Sequence, residues 1–560
     1  MAIGAQDQAP RPHRPRRHGH WVLSAGKLSL GTLLSRLLGV VRDILRAYLF
    51  GTGIAADAFT VAFRLPNMLR ALFAEGTLSA AFVPVLAQVI ERGEEGEWKR
   101  FVLNCAALLA LTLALVCLLA ILVVPHLIPL IVPGFDKVPG KIELTTNLTQ
   151  WLFPYLLLIG MATMAMATLN SLRHFTAPAL SAAVLNAVMI AAMIWFVPRL
   201  GETPERQIHG LAWAVLAGGV LQLGIQIPPL LRHRIAVRFR VTLRDPRLRR
   251  IGALMIPGVI GMGVAEINAF VDTFLASLLP PGSVAALEYG HRVMQLPLGV
   301  FAVALGTAVL PTLARHAARD ETRELGESFN LALRLAVFIL LPITGLFLVL
   351  HRPLLELLFA RGAFAADSLE LTSRAFFYYV FGLVAYGSVK VIVPVFYARQ
   401  NTRTPVRTAA TAMGANIVLN IVLMQVLGIG GLALATALAS ALNVALLLRA
   451  MRTQYGLAPD RDLRATAARA ALAALLAAGA AFLSHRAGRA LLGPQGLVAE
   501  LALLLASVAL ATAVYLGVAR LLGSGELRFL LGLFKRGTAS SRSGSEVGKT
   551  QHRDSGRNES

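Results

Sequence analysis

The sequence predicts an all-α polytopic membrane protein: about fourteen transmembrane helices, with two pseudo-symmetric six-helix lobes around a central cavity and two further helices at the C-terminus. Three observations carry that expectation. Of 560 residues, 56% are hydrophobic and 15% are charged, and the mean hydropathy is +0.66, which leaves too little polar surface for a water-soluble chain of this length. Apolar runs long enough to cross a hydrocarbon layer of roughly 30 Å recur to the end of the chain. The third is a faint repeat: AFVPVLA around Pro84 resembles AVLPTLA around Pro311, and LNSLRHFTAP ending at Pro178 resembles ARQNTRTP ending at Pro405, both offset by 227 residues. A third pair, GLA at Gly210 and at Gly431, is offset by 221. Six spans lie between equivalents, and an even number preserves direction through the bilayer, so the halves should be related about an axis along the membrane normal.

In chain order the spans fall at about 24–50, 57–90, 101–128, 147–170, 178–197, 210–230, 251–279, 287–313, 328–350, 372–397, 408–426, 430–448, 466–484 and 498–522. The second is too long for a straight crossing and should break near Pro66 and Asn67 or bend at Pro84. The division that follows is a basic tail (1–23), an N-terminal lobe (24–230), a basic linker (231–250), a C-terminal lobe (251–448), a loop with spans thirteen and fourteen (449–522), and a polar, disordered tail (523–560). The first apolar run follows an arginine-rich tail and contains Arg36, Arg42 and Arg46, so it does not read as a cleavable signal. Cys105 and Cys117 lie in one apolar run and read as small buried hydrophobes.

Orientation follows from the loops. With the N-terminus in the cytoplasm, the inside segments hold 33 Lys and Arg and the outside segments 8, which favours both termini inside. The formal charge of +23 therefore reads as topology and contact with anionic phospholipid, not as nucleic-acid binding. LRHRIAVRFRVTLRDPRLRR, Leu231 to Arg250, is the strongest inside marker.

Charges inside the apolar spans are expensive and need a reason. The first span carries Arg36, Arg42, Asp43 and Arg46, and the second Asp57, Arg64, Arg70 and Glu75. Arg42 and Arg46 are an i,i+4 pair that would repel against lipid, but would be accommodated beside a hydrated cavity or an anion. The two readings are structural ion pairs and a cavity for phosphate or another polyanion, to which the planar arginine fork is suited. ALEYGHRVMQLPLG adds Glu288, His291 and Arg292 from the second half; His291 reads as a packing or interfacial histidine and Arg292 as cavity lining. Glu266, Asp272, Asn416, Asn420 and Thr436 can supply oxygens to a small hard cation or merely satisfy one another. No nucleophile elbow, phosphate-binding glycine loop, paired acid site or metal-ligand spacing supports an enzyme.

SRLLGVVRD (Ser35–Asp43), FGTGIAADAFTVAFRLPNMLRALFAEGTLSAAFVPVL (Phe50–Leu86) and YGHRVMQLPLGVFAVALGTAVLPTLA (Tyr289–Ala314) resemble the MurJ/MviN lipid II flippases of the multidrug, oligosaccharidyl-lipid and polysaccharide exporter superfamily. The resemblance implies a bacterial inner-membrane transporter, a monomer, that moves undecaprenyl-pyrophosphoryl-MurNAc-pentapeptide-GlcNAc to the outer leaflet for peptidoglycan synthesis, beside other peptidoglycan-synthesis proteins. It implies substrate-binding roles for Arg36, Arg42, Arg70 and Arg292, and a cavity charge role for Asp43, Asp57 and Glu75, to which the sequence adds Arg64 and Glu288. It implies no cofactor beyond sodium, at Asp272, Asn416 and Thr436, with neutral Asn420 where relatives have a second acid. Some relatives also have Asp where this chain has His291. Spans thirteen and fourteen are implied to form a groove for the polyprenyl tail. The alternatives are export of another polyprenyl-linked saccharide, or a multidrug/cation antiporter, which should favour acidic over basic cavity groups.

Overall fold

The structure, a computed structural model, describes residues 19–532 except 74–76, 93–94, 236–241, 243–244 and 494–495. Among these there is no strand. The first half runs α1 (Gly19–Phe50), α2 (Ile54–Phe73), α3 (Thr77–Arg92), α4 (Glu95–Ile131), α5 (Lys141–Leu152), α6 (Pro154–Ser171), α7 (Thr176–Trp195), α8 (Pro204–Gly224) and the short α9 (Ile227–Arg232). The second runs α10 (Pro246–Ser277), α11 (Ser283–Pro297), α12 (Val303–Ala318), α13 (Thr322–Phe359), α14 (Ala366–Val380), α15 (Leu383–Ala398), α16 (Arg403–Leu427) and α17 (Ile429–Tyr455), and α18 (Arg461–Leu492) and α19 (Leu497–Leu521) follow. Among the described residues ten helical stretches are long and apolar enough to cross a membrane, and α14 with α15, bent by 47°, makes an eleventh. The segments α1, α2 with α3, and α10 occupy the other positions of the fourteen-span plan.

The repeat is written into the backbone. A shift of 227 residues carries α1 onto α10 end for end, and α7 begins where α16 begins. The turn before each is the same: Arg173 (φ 61°) and Gln400 (φ 55°) take the left-handed conformation, and His174 N donates to Leu169 O as Asn401 N donates to Phe396 O, each at 2.8 Å. Packing repeats as well. In the first lobe α1 lies on α7, α2 on α5 and α7 on α8, and in the second α10 lies on α16, α11 on α14 and α16 on α17. The C-terminal pair stands outside this scheme, since α18 packs on α13 and on α19. Its alanine stripe, Ala470, Ala473, Ala474, Ala477 and Ala481, is buried against that neighbour, as close helix approach in lipid requires.

Of the two alternatives expected for the second span, the break near Pro66 and Asn67 is not found: α2 runs through Pro66 to Phe73, and α3 begins at Thr77 with Pro84 inside it. Proline removes one hydrogen bond without ending a helix whose other turns are held by packed neighbours, and Pro66 lies buried between Leu65 and the half-buried Asn67.

The lobes meet at the end formed by the α1–α2, α4–α5, α10–α11 and α13–α14 turns. Tyr48 O accepts from Ala363 N at 2.8 Å, Thr52 Oγ1 bonds Ser368 Oγ at 2.9 Å, and Gly134 N donates to Ser277 Oγ at 3.4 Å. Two glycines make this approach sterically allowed. Gly51 (φ 53°) and Gly282 (φ 92°) are left-handed, and a Cβ at either would collide with a carbonyl of the facing lobe, Ala363 or Thr52.

Candidate functional site

The charges of α1 and α2 meet those of α11 across the lobe boundary. Arg42 donates to Asp43 Oδ1 from Nε (3.1 Å) and from its terminal nitrogen (2.9 Å). Arg292 lies 3.8 Å from the other oxygen of Asp43 and 3.0 Å from Glu288 Oε1, and Glu288 Oε2 is 3.0 Å from Arg64. An alternating chain, Arg42–Asp43–Arg292–Glu288–Arg64, thus joins α1, α11 and α2. Arg46 is buried behind it, donating to Tyr289 Oη at 3.2 Å with its guanidinium 4.7 Å from the ring centroid, a cation–π contact. Arg36 donates to the carbonyl of Gly299, and Arg64 also donates to Ala269 O (2.9 Å) and to the Thr273 hydroxyl. Five guanidiniums therefore surround two carboxylates, so ion pairing within the group leaves a positive excess.

That excess borders open space. A cavity of about 450 Å³ is lined by Arg36, Arg42, Asp43, Asn186 and Arg292. A second, of about 620 Å³, shares Arg36, Gln295 and Gly299 with it and continues past His291, Asn268, Asn416 and Lys390. A third, of about 180 Å³, holds Arg64, Glu288 and Asp272. Asn186 fixes Arg42, accepting from it at 2.9 Å while donating to Ser35 O at 3.0 Å. His291 stacks obliquely on Tyr379, ring centroids 5.3 Å apart, in keeping with the packing role expected of it.

Other expected members lie elsewhere. Asp57 is 1% exposed and sits at the sealed end, where it accepts from Lys141 Nζ (2.6 Å), Gly282 N (2.7 Å) and Ala285 N (2.8 Å); its described partners are these and not the cavity arginines. Its two oxygens cap the first turn of α11 from the opposite lobe. Arg70 donates to Asn67 Oδ1 at 2.8 Å, one turn earlier on α2. Glu75 lies outside the described residues.

Asp272, Asn416 and Asn420 do converge. Asp272 accepts from Asn420 (2.7 Å), Asn416 (3.3 Å) and Asn268 (3.5 Å), while Thr436 donates to Leu432 O at 3.0 Å and lines the same small cavity. The amides turn their NH2 groups to the carboxylate, and the buried oxygens of Asn416 and Asn420 have no partner. Among the described residues no group of three or more His, Cys, Asp or Glu could hold a metal ion. One carboxylate, two orphaned amide oxygens and a hydroxyl are oxygen donors of the kind a hard cation takes, once the amides rotate.

Sequence reasoning missed Lys141, Asn186, Asn268 and Lys390. Lys141 follows the α4–α5 turn and meets Asp57 across 84 residues, a pairing that spacing does not signal. Lys390 had a signal, a lone charge inside SVKVIVPVF.

The family model for lipid II flippase MurJ matches residues 46–495. The chain belongs to this family. It is 36% identical to the probable lipid II flippase MurJ of Vibrio cholerae over 434 residues, 76% of this chain and 82% of that one. It is 35% identical to the probable lipid II flippase MurJ of Rhizobium tropici over 507 residues, 90% of this chain and 95% of that one. Among solved structures it is similar to a lipid II flippase MurJ in an inward closed conformation, with a TM-score of 0.73 and 25% identity over 88% of this chain and 98% of that one. A multidrug resistance MATE family transporter in an inward-facing conformation shares the fold, with a TM-score of 0.64 and 15% identity over 79% of this chain and 99% of that one. The MurJ family thus accounts for the fold.

Proposed function

We propose that this chain carries lipid II from the inner to the outer leaflet of the bacterial cytoplasmic membrane by alternating access. The observation that supports it is the arginine excess: among the described residues, five guanidiniums in a network with two carboxylates, Asp43 and Glu288, contributed by both lobes, and only one further carboxylate, Asp272, in the connected cavities. A pyrophosphate brings the opposite charge and offers each arginine a two-pronged acceptor, replacing hydration lost on entry. Arg292 is the joint of the mechanism, because it touches Asp43 of one lobe and Glu288 of its own helix. A phosphate that takes Arg292 from Asp43 loosens a tie between the lobes. The sealed end, with its Asp57 cap and glycine contacts, has the loops poor in Lys and Arg and so reads as periplasmic; it must part for release. The exposed leucines of α18 and α19, among them Leu475, Leu483 and Leu505, suit contact with the polyprenyl tail and with phospholipid. Both termini are cytoplasmic and the carrier works as a monomer, with peptidoglycan-synthesis proteins as neighbours and no enzymatic step of its own.

For coupling, Asp272 with Asn416, Asn420 and Thr436 offers sodium only one charged ligand, so membrane potential, worth about 2.3 kcal/mol per charge per 100 mV, is the stronger drive. A cation antiporter would need acids to outnumber arginines in the cavity, and here the reverse holds. The test is reconstitution in liposomes with lipid II and with a different polyprenyl-linked glycan. Transport of lipid II in preference to the other supports the reading, and preference for the other glycan reassigns the substrate.

A further inference from the structure

The larger cavity contains a cation that the arginine network does not use. Lys390 stands at the middle of α15 (Leu383–Ala398), exposed to the cavity of about 620 Å³, and has no hydrogen bond or ion pair with any described residue. It is the one lysine between Lys141 and Lys535. An unpaired ammonium half-way along a membrane helix is costly unless it meets water or an anion. A second observation points to a ligand. Three buried polar atoms without partners, Tyr386 Oη, Asn416 Oδ1 and Asn443 Oδ1, belong to residues lining the same cavity, and Asn416 itself is 1% exposed. Buried acceptors of this kind are normally satisfied. The NH2 of Asn416 donates to Asn268 and Asp272, and in that orientation its oxygen is left for another donor.

A positive charge beside several amide-type acceptors is complementary to a peptide that ends in a carboxylate: the acid meets the ammonium and the peptide N–H groups meet the asparagine oxygens. Pyrophosphate has no N–H to give. The two connected cavities differ accordingly, one walled by Arg36, Arg42 and Arg292 and the other by amides and Lys390, with Arg36 only where the two meet. We propose that Lys390, with Asn416 and Asn443, forms a second anion site that takes a carboxylate of the head group's peptide while the arginines take the pyrophosphate. This rests on the reading of the chain as a lipid II carrier. Lys390 is then a specificity determinant for the peptide portion.

The test uses the full-length protein in liposomes with two substrates, lipid II with free peptide carboxylates and lipid II with those carboxylates amidated. The wild type should move the free acid about tenfold faster, the worth of one charge-assisted contact. Lys390→Gln should bring the free acid down to the amidated rate, and Lys390→Arg should keep the preference. Equal slowing of both substrates by Lys390→Gln, or a wild type indifferent to amidation, overturns the inference. Amine-reactive labelling of Lys390 in the purified wild type, read by mass spectrometry, separates this outcome from failure of the transport reading. Protection by free-acid but not by amidated lipid II retains the site even where neither substrate is moved. Equal labelling with both overturns it.

Discussion

Helices α1 and α10 are one element used twice, equal in length and offset by 227 residues, each lying against the helix that follows the left-handed turn of its own lobe. Their chemistry is opposite. Where α1 bears Arg42, Asp43 and Arg46, the equivalent positions of α10 are Ala269, Phe270 and Thr273, while Asn268 and Asp272 of α10 are held by amides from α16. The scaffold is therefore indifferent to which side chains it points inward: helix packing is repeated, and the inward-facing groups are free to differ. One wall becomes cationic and fixed by ion pairs, the other becomes rich in amides, with one carboxylate and spare acceptors. Arg64 reaches across from α2 to the carbonyl of Ala269, so the two walls are also in contact.

The sharpest way to test this division is to remove the cationic wall. Arg42→Ala and Arg292→Ala should each lower lipid II transport by about 100-fold, since each removes a charge-assisted contact and leaves a carboxylate with fewer partners. Membrane insertion and folding, followed by chromatography in detergent, should be retained. Normal transport by both variants would place the substrate elsewhere. Next in size is the fastener between the lobes. Asp57→Asn or Lys141→Met alone leaves a buried charge uncompensated and should cost about 3 kcal/mol, read as a lowered Tm and as faster reaction of cysteines placed at Thr52 and Ser368. The double variant should recover part of the loss. An additive double variant would mean that the pair does not act as a unit.

The amide-rich wall should respond less. Asp272→Asn should change transport by a few-fold, and at fixed membrane potential a sodium gradient should matter less than the potential does at fixed sodium. A strong, saturable sodium requirement abolished by Asp272→Asn would assign the coupling role to Asp272 with Asn416, Asn420 and Thr436. The smallest expected effect lies outside both walls. Hydrogen bonds from Arg247 hold the Asp245 carboxyl below its ordinary range, and Arg247 also reaches Glu97 at 2.8 Å. A depressed carboxylate pKa contributes stability that is present above the unfolded value and is lost as pH falls through the folded one. Acidification below the usual aspartate range should therefore release the start of α10 from α4, seen as faster proteolysis there, and Asp245→Asn should show the same release at neutral pH.

Most of the fold was legible because lipid imposes it. Spans must be apolar and loops carry the positive bias, so composition and charge alone marked out the helices, and prolines in step marked the repeat. The cavity arginines were legible for the converse reason: Arg42 and Arg292 are costly unless they line a cavity. What stayed hidden involves neutral or distant partners. Asn186, which aims Arg42, sits in LNAVM with no charge to betray it, and Asp57 looked like a cavity acid because Lys141 and the α11 amides come near it only in the folded chain. The continuation of α2 through Pro66 depended on the packing around that proline, which local propensity does not contain.

The attachment of α18 and α19 to α13 has a mechanical consequence. They are cantilevered from one lobe, so any rocking of the lobes sweeps them through the bilayer as a lever, and a tether gripped there travels with the C-terminal lobe while the N-terminal lobe turns beneath it. A rigid antibody fragment clamped on the loop around Gly493 would load that lever alone, and its drag would register every stroke of the cycle.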